Sequence, residues 1–585
     1  MKIHIAKTAG FCMGVRRAVE MVLDTANRND MSPLHTFGPL IHNPQVLALL
    51  EEKGIPVLNK VPEKGSGTVI IRAHGVPIQT LSQLKSAGFR VIDATCPKVI
   101  RVQRIIHKHA EQGYVTIIVG DSDHPEVIGL LSYTNHNGVV VSSLSEFENL
   151  PRYNKAIIVA QTTQNTSLFE QINQSVQNNY KNYLIFNTIC DSTEKRQAEI
   201  KHLSTCSDAT IIVGGKNSGN TQRLYEIAKQ SGKPAFLIEN ETELDSGLLK
   251  PFREVSITAG ASTPNWVIHS VYKRLETIQY ERQPRIKSLL FCIMKYLLIS
   301  NLYLALGAGS LCYTSIYLQG LPYDIKFITM AFLYIFSMQV VNNLTAIKSD
   351  HYNHPERAEF YQKYKFPLGI TAFFSGLIGL VIAGSLGIIP FIILLVMTIL
   401  GPVYDVNIIH PKYTKIPYTK IKDIPGSKTL LIALAWGVVT SFLPALFAYN
   451  SVTFDTDGIM YLRMVLTTVI MSALVFVRSA FNDIMEMQGD RIVGKETIPI
   501  FIGKDQTIRL LKAILASVFG VLWFGSQFGA LPSLGFILSI YPLFLLGFIY
   551  AYDYKKILPG MKLDFWVESH FIVAGIVTVL WNAIL

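Results

Sequence analysis

Residues 10–23, GFCMGVRRAVEMVL, place a cysteine where an extended run gives way to an amphipathic helical pattern. The same arrangement recurs in residues 94–110, ATCPKVIRVQRIIHKHA, and in residues 188–203, TICDSTEKRQAEIKHL. The cysteines, which are 84 and 94 residues apart, are Cys12, Cys96 and Cys190. A thiolate at a helix N-terminus is stabilised by the helix dipole and by backbone N–H groups. The repetition therefore predicts three similar α/β units that each direct one cysteine to a common centre.

The other cysteines lack this context. Cys206 is expected to be structural, and Cys292 and Cys312 are expected to face lipid or the protein core within the first apolar run of the second half. Isolated cysteines are more often small buried apolar residues than ligands, and the repeated helix-start context favours a shared site for the first three. Six cysteines among 585 residues are too few for a disulfide-stapled secreted protein. Residues 1–20 contain no apolar signal core, so this half is expected in the cytoplasm with its thiols reduced.

Each predicted unit also contains two polar turns that follow strand-like apolar runs. They are TFGPLIHNP (36–44), VIIRAHGV (69–76), TIIVGDSDHPEV (116–127), AIIVAQTTQNT (156–166), TIIVGGKNSGNT (210–221) and VSITAGASTP (255–264). Their chemistry-bearing side chains are His42, His74, His124, Glu126, Thr162, Ser218, Asn220 and Ser262. Ligands of open α/β sheets bind beyond the carboxyl ends of the strands, and hydroxyl, amide and imidazole groups beside helix N-termini suit a phosphate. The turns therefore predict one phosphate-binding site.

The three cysteines alone do not complete a tetrahedral structural zinc site. They can hold an iron–sulfur cube by three of its corners and leave one iron open to a substrate, since thiolates are the usual ligands of such clusters. A zinc ion with His74 or His124 as its fourth ligand is the alternative that the residues leave open.

The order of these motifs resembles that of the LytB/IspH family, the 4-hydroxy-3-methylbut-2-enyl diphosphate reductases, which catalyse the last step of the non-mevalonate isoprenoid pathway. The resemblance runs through residues 1–272 and is carried by GFCMGVRRAV, FGPLIHNPQV, IRAHGV, DATCPKV, GDSDHPEV, QTT, TICDSTEKRQ, GGKNSGNT and GASTP. It implies an α/β trefoil of three similar domains around a central [4Fe–4S] cluster. It also implies reductive dehydroxylation of that substrate to isopentenyl and dimethylallyl diphosphate, with electrons from a donor such as ferredoxin or flavodoxin.

The resemblance also implies a role for each matching residue. The cluster ligands would be Cys12, Cys96 and Cys190. The substrate-binding residues would be His42, His74, His124, Thr162, Ser218, Gly219, Asn220 and Ser262. Glu126 would deliver the proton that the leaving hydroxyl needs. The family often has serine where this chain has Gly219, so the phosphate-binding turn here lacks one hydroxyl.

The second half of the chain has the composition of a membrane protein. Residues 1–288 contain 32 Lys and Arg and 26 Asp and Glu, whereas residues 289–585 contain 21 and 16. Nine apolar runs approach the roughly 20 residues that a membrane-spanning helix needs. They cover about 289–313, 325–345, 367–386, 388–405, 429–449, 459–480, 508–526, 533–551 and 566–584. The pattern predicts an all-α bundle of nine transmembrane helices, whose basic loops account for the positive charge without nucleic-acid binding.

The loops between these runs differ in charge on the two sides of the membrane. Sixteen Lys and Arg lie in four of them, 348–366, 403–428, 482–509 and 553–564. The opposite loops contain only Lys326. Basic loops face the cytoplasm, and the basic linker 276–288 places the domain formed by residues 1–275 on the same side. The sequence therefore predicts a multi-pass protein of the cytoplasmic membrane, with the C-terminus of the membrane domain 289–585 outside.

Two polar segments of the membrane half are similar to motifs of the UbiA-type prenyltransferase superfamily. They are VVNNLTAIKSDHYNHPERAEF (340–360) and RSAFNDIMEMQGDRIVGKETIP (478–499). Those enzymes use Mg²⁺ to ionise a prenyl diphosphate and transfer its prenyl group to an acceptor. The resemblance implies a Mg²⁺–diphosphate site made by Asn342, Asp350, Asp483, Glu486 and Asp490. The last three are three and four residues apart, which places them on one helical face.

The leading hypothesis is a reductase fused to a membrane prenyltransferase of unspecified acceptor. The alternative is a reductase on a degenerate, inactive UbiA-like membrane anchor. Asn343 and Ala346 stand where that superfamily usually has aspartate, and the alanine cannot bind a metal. A zinc-binding scaffold without redox chemistry is a third hypothesis, and it predicts a colourless protein.

Overall fold

The chain forms two compact units, Met1–Ile278 and Gln279–Leu585. The computed structural model describes residues 1–27, 33–403, 424, 426–451, 458–554 and 560–584. The segment 276–288 is mostly helical, because one helix continues to Glu281 and the next begins at Arg285.

The first unit contains three parallel four-stranded sheets, as the three predicted α/β units require. Its strands are β1 Lys2–Ile5, β2 Leu34–Phe37, β3 Val57–Leu58, β4 Thr68–Ile71, β5 Arg90–Asp93, β6 Val115–Val119, β7 Gly138–Val141, β8 Ala156–Ala160, β9 Tyr183–Phe186, β10 Ala209–Val213, β11 Ala235–Ile238 and β12 Glu254–Ala259. Its helices are α1 Met13–Asn27, α2 Pro44–Glu52, α3 Ile78–Ser86, α4 Pro97–Glu111, α5 Pro125–Leu131, α6 Leu144–Glu148, α7 Thr166–Asn179, α8 Asp191–Cys206, α9 Gly219–Lys229, α10 Ser246–Leu249 and α11 Asn265–Glu281. The central strands β6, β8 and β10 consist of valine, isoleucine, alanine and single threonines and are buried almost throughout, as expected for parallel strands covered on both faces.

The three sheets share one strand order, β3-β2-β4-β5, β7-β6-β8-β9 and β11-β10-β12-β1. Within each unit, the two central strands of the sheet are the first and third of the order first, second, third and fourth. The second strand pairs with the outer edge of the first, and the fourth pairs with the outer edge of the third. The fourth strand of the last sheet is the first strand of the chain, β1, whose Lys2 lies opposite Glu254. Cys12 therefore follows a strand of the third sheet, whereas the linear division of the sequence predicted that it belonged to the first.

The second unit is helical in its described part. Its helices are α12 Arg285–Ile299, α13 Leu302–Gln319, α14 Ile325–Thr345, α15 Ile347–Asn353, α16 Pro355–Lys363, α17 Lys365–Leu386, α18 Ile388–Val403, α19 Ser427–Gly437, α20 Leu443–Ser451, α21 Gly458–Val493, α22 Ile498–Ile502, α23 Lys504–Gln527, α24 Leu534–Leu538, α25 Ile540–Asp553 and α26 Met561–Ile584. A π-helical turn, Val438–Phe442, joins α19 to α20, which makes Ser427–Ala448 one apolar span.

Seven spans in the described residues are long and apolar enough to cross a membrane, and an eighth is present if the bent pair α12–α13 counts as one. The sequence predicted nine. The difference lies in two places. The first apolar run is broken by a 75° bend, and in the described residues the fourth run is the shorter apolar helix α18, beyond whose end at Val403 the structure describes nothing up to residue 423. Three loops used in the charge argument, 403–428, 450–458 and 553–564, lie partly outside the described residues.

Candidate active site

Each predicted ligand cysteine follows the fourth strand of its sheet and precedes a helix. Cys12 lies between β1 and α1, and Cys96 and Cys190 are the N-cap residues of α4 and α8. Their backbone N–H groups make the same hydrogen bond in all three units, to the turn that follows the third strand. The acceptors are Ala261 O at 3.1 Å for Cys12, Ala73 O at 2.9 Å for Cys96 and Thr162 O at 2.9 Å for Cys190. The repeated bond fixes every cysteine beside a turn that carries predicted substrate-binding residues.

The thiols lie close enough to influence one another. Burial raises the pKa of Cys96, the N–H groups of Lys98 and Val99 oppose that shift, and the neighbouring Cys12 and Cys190 add to it. A Cβ atom at Gly14, in the first turn of α1, would lie only 2.4 Å from the sulfur of Cys96. Glycine at this position therefore lets the first turn of α1 approach the second cysteine.

One cleft, enclosing about 710 Å³ including the space at its mouth, is lined by all the site residues predicted in this half of the chain. They are Cys12, His42, His74, Cys96, His124, Glu126, Thr162, Cys190, Ser218, Gly219, Asn220 and Ser262. The substrate-binding members all follow the carboxyl ends of the two central strands of a sheet, where the order of the strands reverses. This reversal is where open α/β sheets bind ligands.

Three imidazoles form a cluster on one side of the cleft. Their ring centroids are 4.8 Å apart for His42 and His74, 5.4 Å for His74 and His124, and 5.8 Å for His42 and His124. Burial lowers the pKa of all three, and the positive charge of Arg72 lowers each further. For His124 the pKa falls to about 4. The unliganded cleft therefore presents neutral imidazoles at neutral pH.

Several buried polar atoms in and beside the cleft have no hydrogen-bond partner among the described residues. They are His42 Nε2, His74 Nδ1, Asn220 Nδ2 and Thr221 Oγ1. Buried polar groups are almost always satisfied, so unpartnered atoms that line a cleft are available to bond a polar ligand. The N-terminus of α9, with Ser218 as its N-cap, also faces the cleft and adds backbone N–H groups. These groups match the donors that bind a phosphate.

Glu126 is almost fully buried and bonds to one residue through both of its oxygens. Thr162 donates its backbone N–H to Oε1 at 2.6 Å and its hydroxyl to Oε2 at 2.8 Å. Burial raises the pKa of this carboxyl group, although the two Thr162 bonds and Arg223 partly oppose the shift. A carboxyl group with a raised pKa retains a proton at higher pH, which suits a proton donor.

Two buried arginines support the cleft, and the sequence analysis assigned neither of them a role. Arg223 donates to Asp121 at 2.6 Å and to Thr163 O at 2.9 Å, so it ties α9 to the turns of the second sheet. Arg196 donates to Gly10 O at 2.6 Å and Ala259 O at 2.9 Å. The burial of these arginines is visible only in the folded chain. It indicates a bracing role, because a guanidinium is rarely buried without several acceptors.

The polar segments of the second unit also meet. His354 lies 2.7 Å from Glu486, and Asn353 donates to Asp490 at 3.1 Å. These bonds connect the α15–α16 corner to the cytoplasm-facing end predicted for α21. Asn342 is not joined to this cluster by any described side-chain hydrogen bond. Its backbone carbonyl accepts from the Thr345 hydroxyl and from the Ala346 N–H.

The remaining carboxylates of this cluster are paired as well. Arg357 donates to Asp350 at 2.9 Å, Lys495 to Asp490 at 3.1 Å and Thr429 to Asp483 at 2.6 Å. Carboxylate oxygens are the ligand type that Mg²⁺ prefers. Three of the four carboxylates already contact Arg357, His354 or Lys495, so a metal ion here would share them with these side chains.

Comparison with known proteins assigns the first unit. The family model described as LytB protein matches residues 3–276. The 4-hydroxy-3-methylbut-2-enyl diphosphate reductase of Alkaliphilus oremlandii is 39% identical over 280 residues, which are 48% of this chain and 100% of the relative. The chain belongs to the LytB family.

The second unit matches a different family model, the UbiA prenyltransferase family, over residues 302–566. The chain is thus a fusion of a LytB domain with a UbiA-type domain. Among solved structures, E-1-hydroxy-2-methyl-but-2-enyl-4-diphosphate reductase from Plasmodium falciparum is 27% identical and covers 49% of this chain and 89% of its own, with a TM-score of 0.45. A UbiA homolog from Aeropyrum pernix K1 is 14% identical and covers 47% and 98%, with a TM-score of 0.38.

The LytB domain offers a donor set that fits an iron–sulfur cluster. The three thiols line one cleft at helix starts. Backbone N–H groups reach two of the sulfurs, from Val15 to Cys12 at 3.5 Å and from Lys98 and Val99 to Cys96. Thiolate ligands and N–H groups directed at sulfur are the usual environment of such clusters. The ring nitrogens of the three imidazoles lie within 4.8 Å of one another, close enough to share a metal ion. The positive charge of Arg72 and the neighbouring unpartnered donors favour an anionic ligand there instead.

Proposed function

We propose that the LytB domain reduces 4-hydroxy-3-methylbut-2-enyl diphosphate to isopentenyl and dimethylallyl diphosphate. The reaction breaks one carbon–oxygen bond, takes up two electrons and two protons, and releases water. The observation that carries the proposal is the convergence, in one cleft, of three equivalent cysteines, a buried carboxyl group and unsatisfied phosphate-type donors. We propose that the three equivalent sheets are arranged as a trefoil around this cleft.

The diphosphate group is held by the side of the cleft formed by the imidazoles and α9. His42, His74 and Asn220 supply the atoms that lack partners, and the N-terminus of α9 supplies backbone donors. Holding the diphosphate at a fixed place leaves the alcohol end of the substrate little freedom to turn, which is the contribution of proximity to catalysis.

The proton for the leaving hydroxyl comes from Glu126. Its raised pKa favours the protonated form, Thr162 Oγ1 lies 2.8 Å from its carboxyl group, and both residues line the cleft. A threonine hydroxyl both donates and accepts, so it can pass a proton to the substrate oxygen while Glu126 replaces it.

Cys12, Cys96 and Cys190 would hold a [4Fe–4S] cluster. When bound, such a cluster supplies electrons and a Lewis-acidic iron for an alcohol oxygen. The chain's own contribution is the rigid placement of the three sulfurs through the repeated N–H bonds to Ala261, Ala73 and Thr162. Electrons would come from a small donor protein such as a ferredoxin or a flavodoxin.

The test is anaerobic purification of the full chain in detergent, with analysis of iron, inorganic sulfide and substrate turnover by a reduced dye. We expect Cys96→Ser to lose iron, sulfide and activity together. Cys206→Ser is the matched control, because Cys206 is exposed at the end of α8 and does not line the cleft. A colourless wild-type preparation that contains zinc and no sulfide would support the zinc-scaffold alternative.

For the UbiA-type domain we propose transfer of a prenyl group from a diphosphate donor to a membrane acceptor. The observation that favours it is the meeting of both polar segments, through the bonds of His354 to Glu486 and Asn353 to Asp490. The site that supports this activity would comprise Asp350, Asp483, Glu486, Asp490 and Asn342, with Mg²⁺. The reductase domain would lie in the cytoplasm and the C-terminus outside.

The two activities can be separated in one preparation. The full chain is given a labelled prenyl diphosphate, Mg²⁺ and aromatic or quinone acceptors, and the release of diphosphate is measured. Asp483→Ala should abolish transfer and leave the reductase unchanged, whereas Cys96→Ser should do the reverse. Absence of diphosphate release in the wild type with every acceptor would favour the inactive membrane anchor.

A further inference from the structure

Helix α12 lies between the regions that the two family models match, residues 3–276 and 302–566, so neither match accounts for it. Its sequence is RIKSLLFCIMKYLLI, 15 residues with three basic side chains and no acidic one. A helix of this length extends about 22 Å at 1.5 Å per residue, whereas the hydrocarbon core of a bilayer is roughly 30 Å thick. α12 is therefore too short to cross a membrane by itself.

A built-in corner also prevents α12 from extending α13 into one long span. The two helices are bent by 75° at Ser300–Asn301. Asn301 has the left-handed backbone conformation, with φ of 62°, which residues other than glycine rarely adopt. Its buried side chain donates to Tyr361 OH at 2.7 Å. The corner is thus fixed by a specific residue and a specific hydrogen bond.

One face of α12 packs on the rest of the membrane unit. Phe291 and Ile299 are buried there against Met561, and the ring of Phe291 stacks on Tyr280 at 4.0 Å. On the same side, Lys295 donates to Glu356 at 2.8 Å. These contacts determine how α12 is rotated about its own axis.

The opposite face is an exposed apolar stripe. Its side chains and their exposed fractions are Ile286 74%, Leu289 60%, Leu290 60%, Ile293 46% and Tyr296 56%. Spacings of three and four residues place them along one side of the helix. The stripe continues onto the exposed Leu302 and Leu306 at the start of α13. Exposed Arg285 and Lys287 lie at the beginning of the stripe.

We propose that α12 lies in the plane of the membrane interface, with the stripe in the acyl-chain boundary and with Arg285 and Lys287 against anionic lipid head groups. α13, with 18 residues, is then the first crossing helix, and the 75° bend turns α12 nearly parallel to the membrane surface. Lipid is the fitting occupant because the stripe is continuous with the apolar outer face of a crossing helix. Basic residues beside an apolar face are the pattern that interfacial helices use.

The test measures depth along α12 in the full-length chain. A fluorescent amino acid is encoded singly at Ile286, Leu289, Ile293 or Tyr296, and the protein is placed in vesicles of phosphatidylcholine and phosphatidylglycerol with bromine at one known acyl position. We expect all four positions to be quenched best by the same shallow bromine. A crossing helix would instead deepen by about 1.5 Å per residue, or about 15 Å from Ile286 to Tyr296, and that gradient would overturn the proposal.

Matched positions make the measurement internally controlled. Leu302 and Leu306 on α13 should differ in depth by about 6 Å, and Met294 on the packed face should be quenched weakly.

The head-group contact is tested in vesicles that contain phosphatidylglycerol. There, R285Q/K287Q should shift the emission of the probe at Ile286 toward the emission of the same probe in water, while K326Q should leave it unchanged. Equal emission in the two variants would overturn the head-group contact. If bromine quenched none of the four positions, and if they were instead shielded from water only at high protein concentration, a second copy of the chain would cover the stripe. That result would overturn the lipid assignment.

Discussion

Removal of the Glu126 carboxyl group should separate turnover from cofactor content. Glu126→Gln keeps the shape of the side chain, and Thr162 can still bond to it, because the Thr162 N–H can donate to the amide oxygen and the Thr162 hydroxyl oxygen can accept from the amide N–H. We expect the variant to bind iron and sulfide as the wild type does and to lose about 10²–10⁴-fold in kcat, the usual contribution of a positioned proton donor. The measurements are single-chain iron content and steady-state turnover, and near-normal turnover would remove Glu126 from its proposed role.

Gly219 marks a departure from the family pattern that the local space does not require. A Cβ atom there would lie 3.5 Å from Arg223, 3.8 Å from His124 and 4.0 Å from Asp121, which are ordinary contacts. Gly219→Ser should therefore fold normally and add one donor for the diphosphate. A hydrogen bond worth about 0.5–1.5 kcal/mol lowers KM by about 2–10-fold, while kcat stays the same. A higher KM would show that the hydroxyl does not face the phosphate.

The three imidazoles should make diphosphate binding dependent on pH. Burial lowers the pKa of His124 to about 4 and that of His74 well below its ordinary value, so both are neutral in the unliganded protein at pH 7. A bound anion favours the cationic form and raises these pKa values, so binding takes up protons and affinity should rise as the pH falls from 8 to 6. Titration calorimetry with inorganic diphosphate in buffers of different ionisation enthalpy measures the uptake. His124→Gln should reduce it, and proton release on binding would contradict this assignment.

At the scale of elements, the first turn of α1 should be intolerant of a larger residue. Gly14→Ala places a Cβ atom 2.4 Å from the sulfur of Cys96, so the helix or the cysteine must shift. We expect lower iron and sulfide content and a lower Tm of the LytB domain. Gly129→Ala in α5 is the control, because its nearest contact is 3.8 Å and alanine favours a helix by up to about 1 kcal/mol. Equal cluster content in both variants would show that α1 can move away freely.

The turns were predictable from sequence, but the pairing of the strands was not. An apolar run followed by a polar turn is a local pattern, and all six turns supplied residues to the one cleft. The pairing of β1 with β12 joins residues about 250 positions apart, and no local pattern encodes it. Arg196 and Arg223 were missed for a related reason, since their roles depend on carbonyl groups that only the folded chain brings to them.

At the scale of the whole molecule, hydropathy identified which half of the chain has membrane-spanning helices. It predicted nine spans, whereas the described residues contain seven, or eight if the bent pair counts as one. The run 289–313 is apolar throughout its middle, and an average over residues does not register the left-handed conformation of Asn301 that divides it. Length and polarity thus identify membrane segments, whereas single backbone conformations decide which of them are continuous.

The boundary of the LytB domain provides the last prediction. The sequence analysis ended this domain at residue 275, but α11 continues to Glu281 and its Ile278 is only 1% exposed in the core of the third sheet. Relatives matched over their whole length by about 280 residues support independent folding of this part. We expect residues 1–281 to purify as an active reductase without the membrane unit.

A chain that stops at residue 275 should also bind iron but be less stable. It loses the burial of Ile278, worth about 1.5–3 kcal/mol, and it leaves Leu275 at a helix end that frays. In a domain of this size the Tm should fall by about 3–10 °C, which anaerobic thermal unfolding of both fragments measures. Equal Tm values would place Ile278 outside the cooperative core. Aggregation of both fragments would show that the LytB domain of this chain requires its membrane partner to fold, because the sheets, the cleft and the cysteines are complete in each.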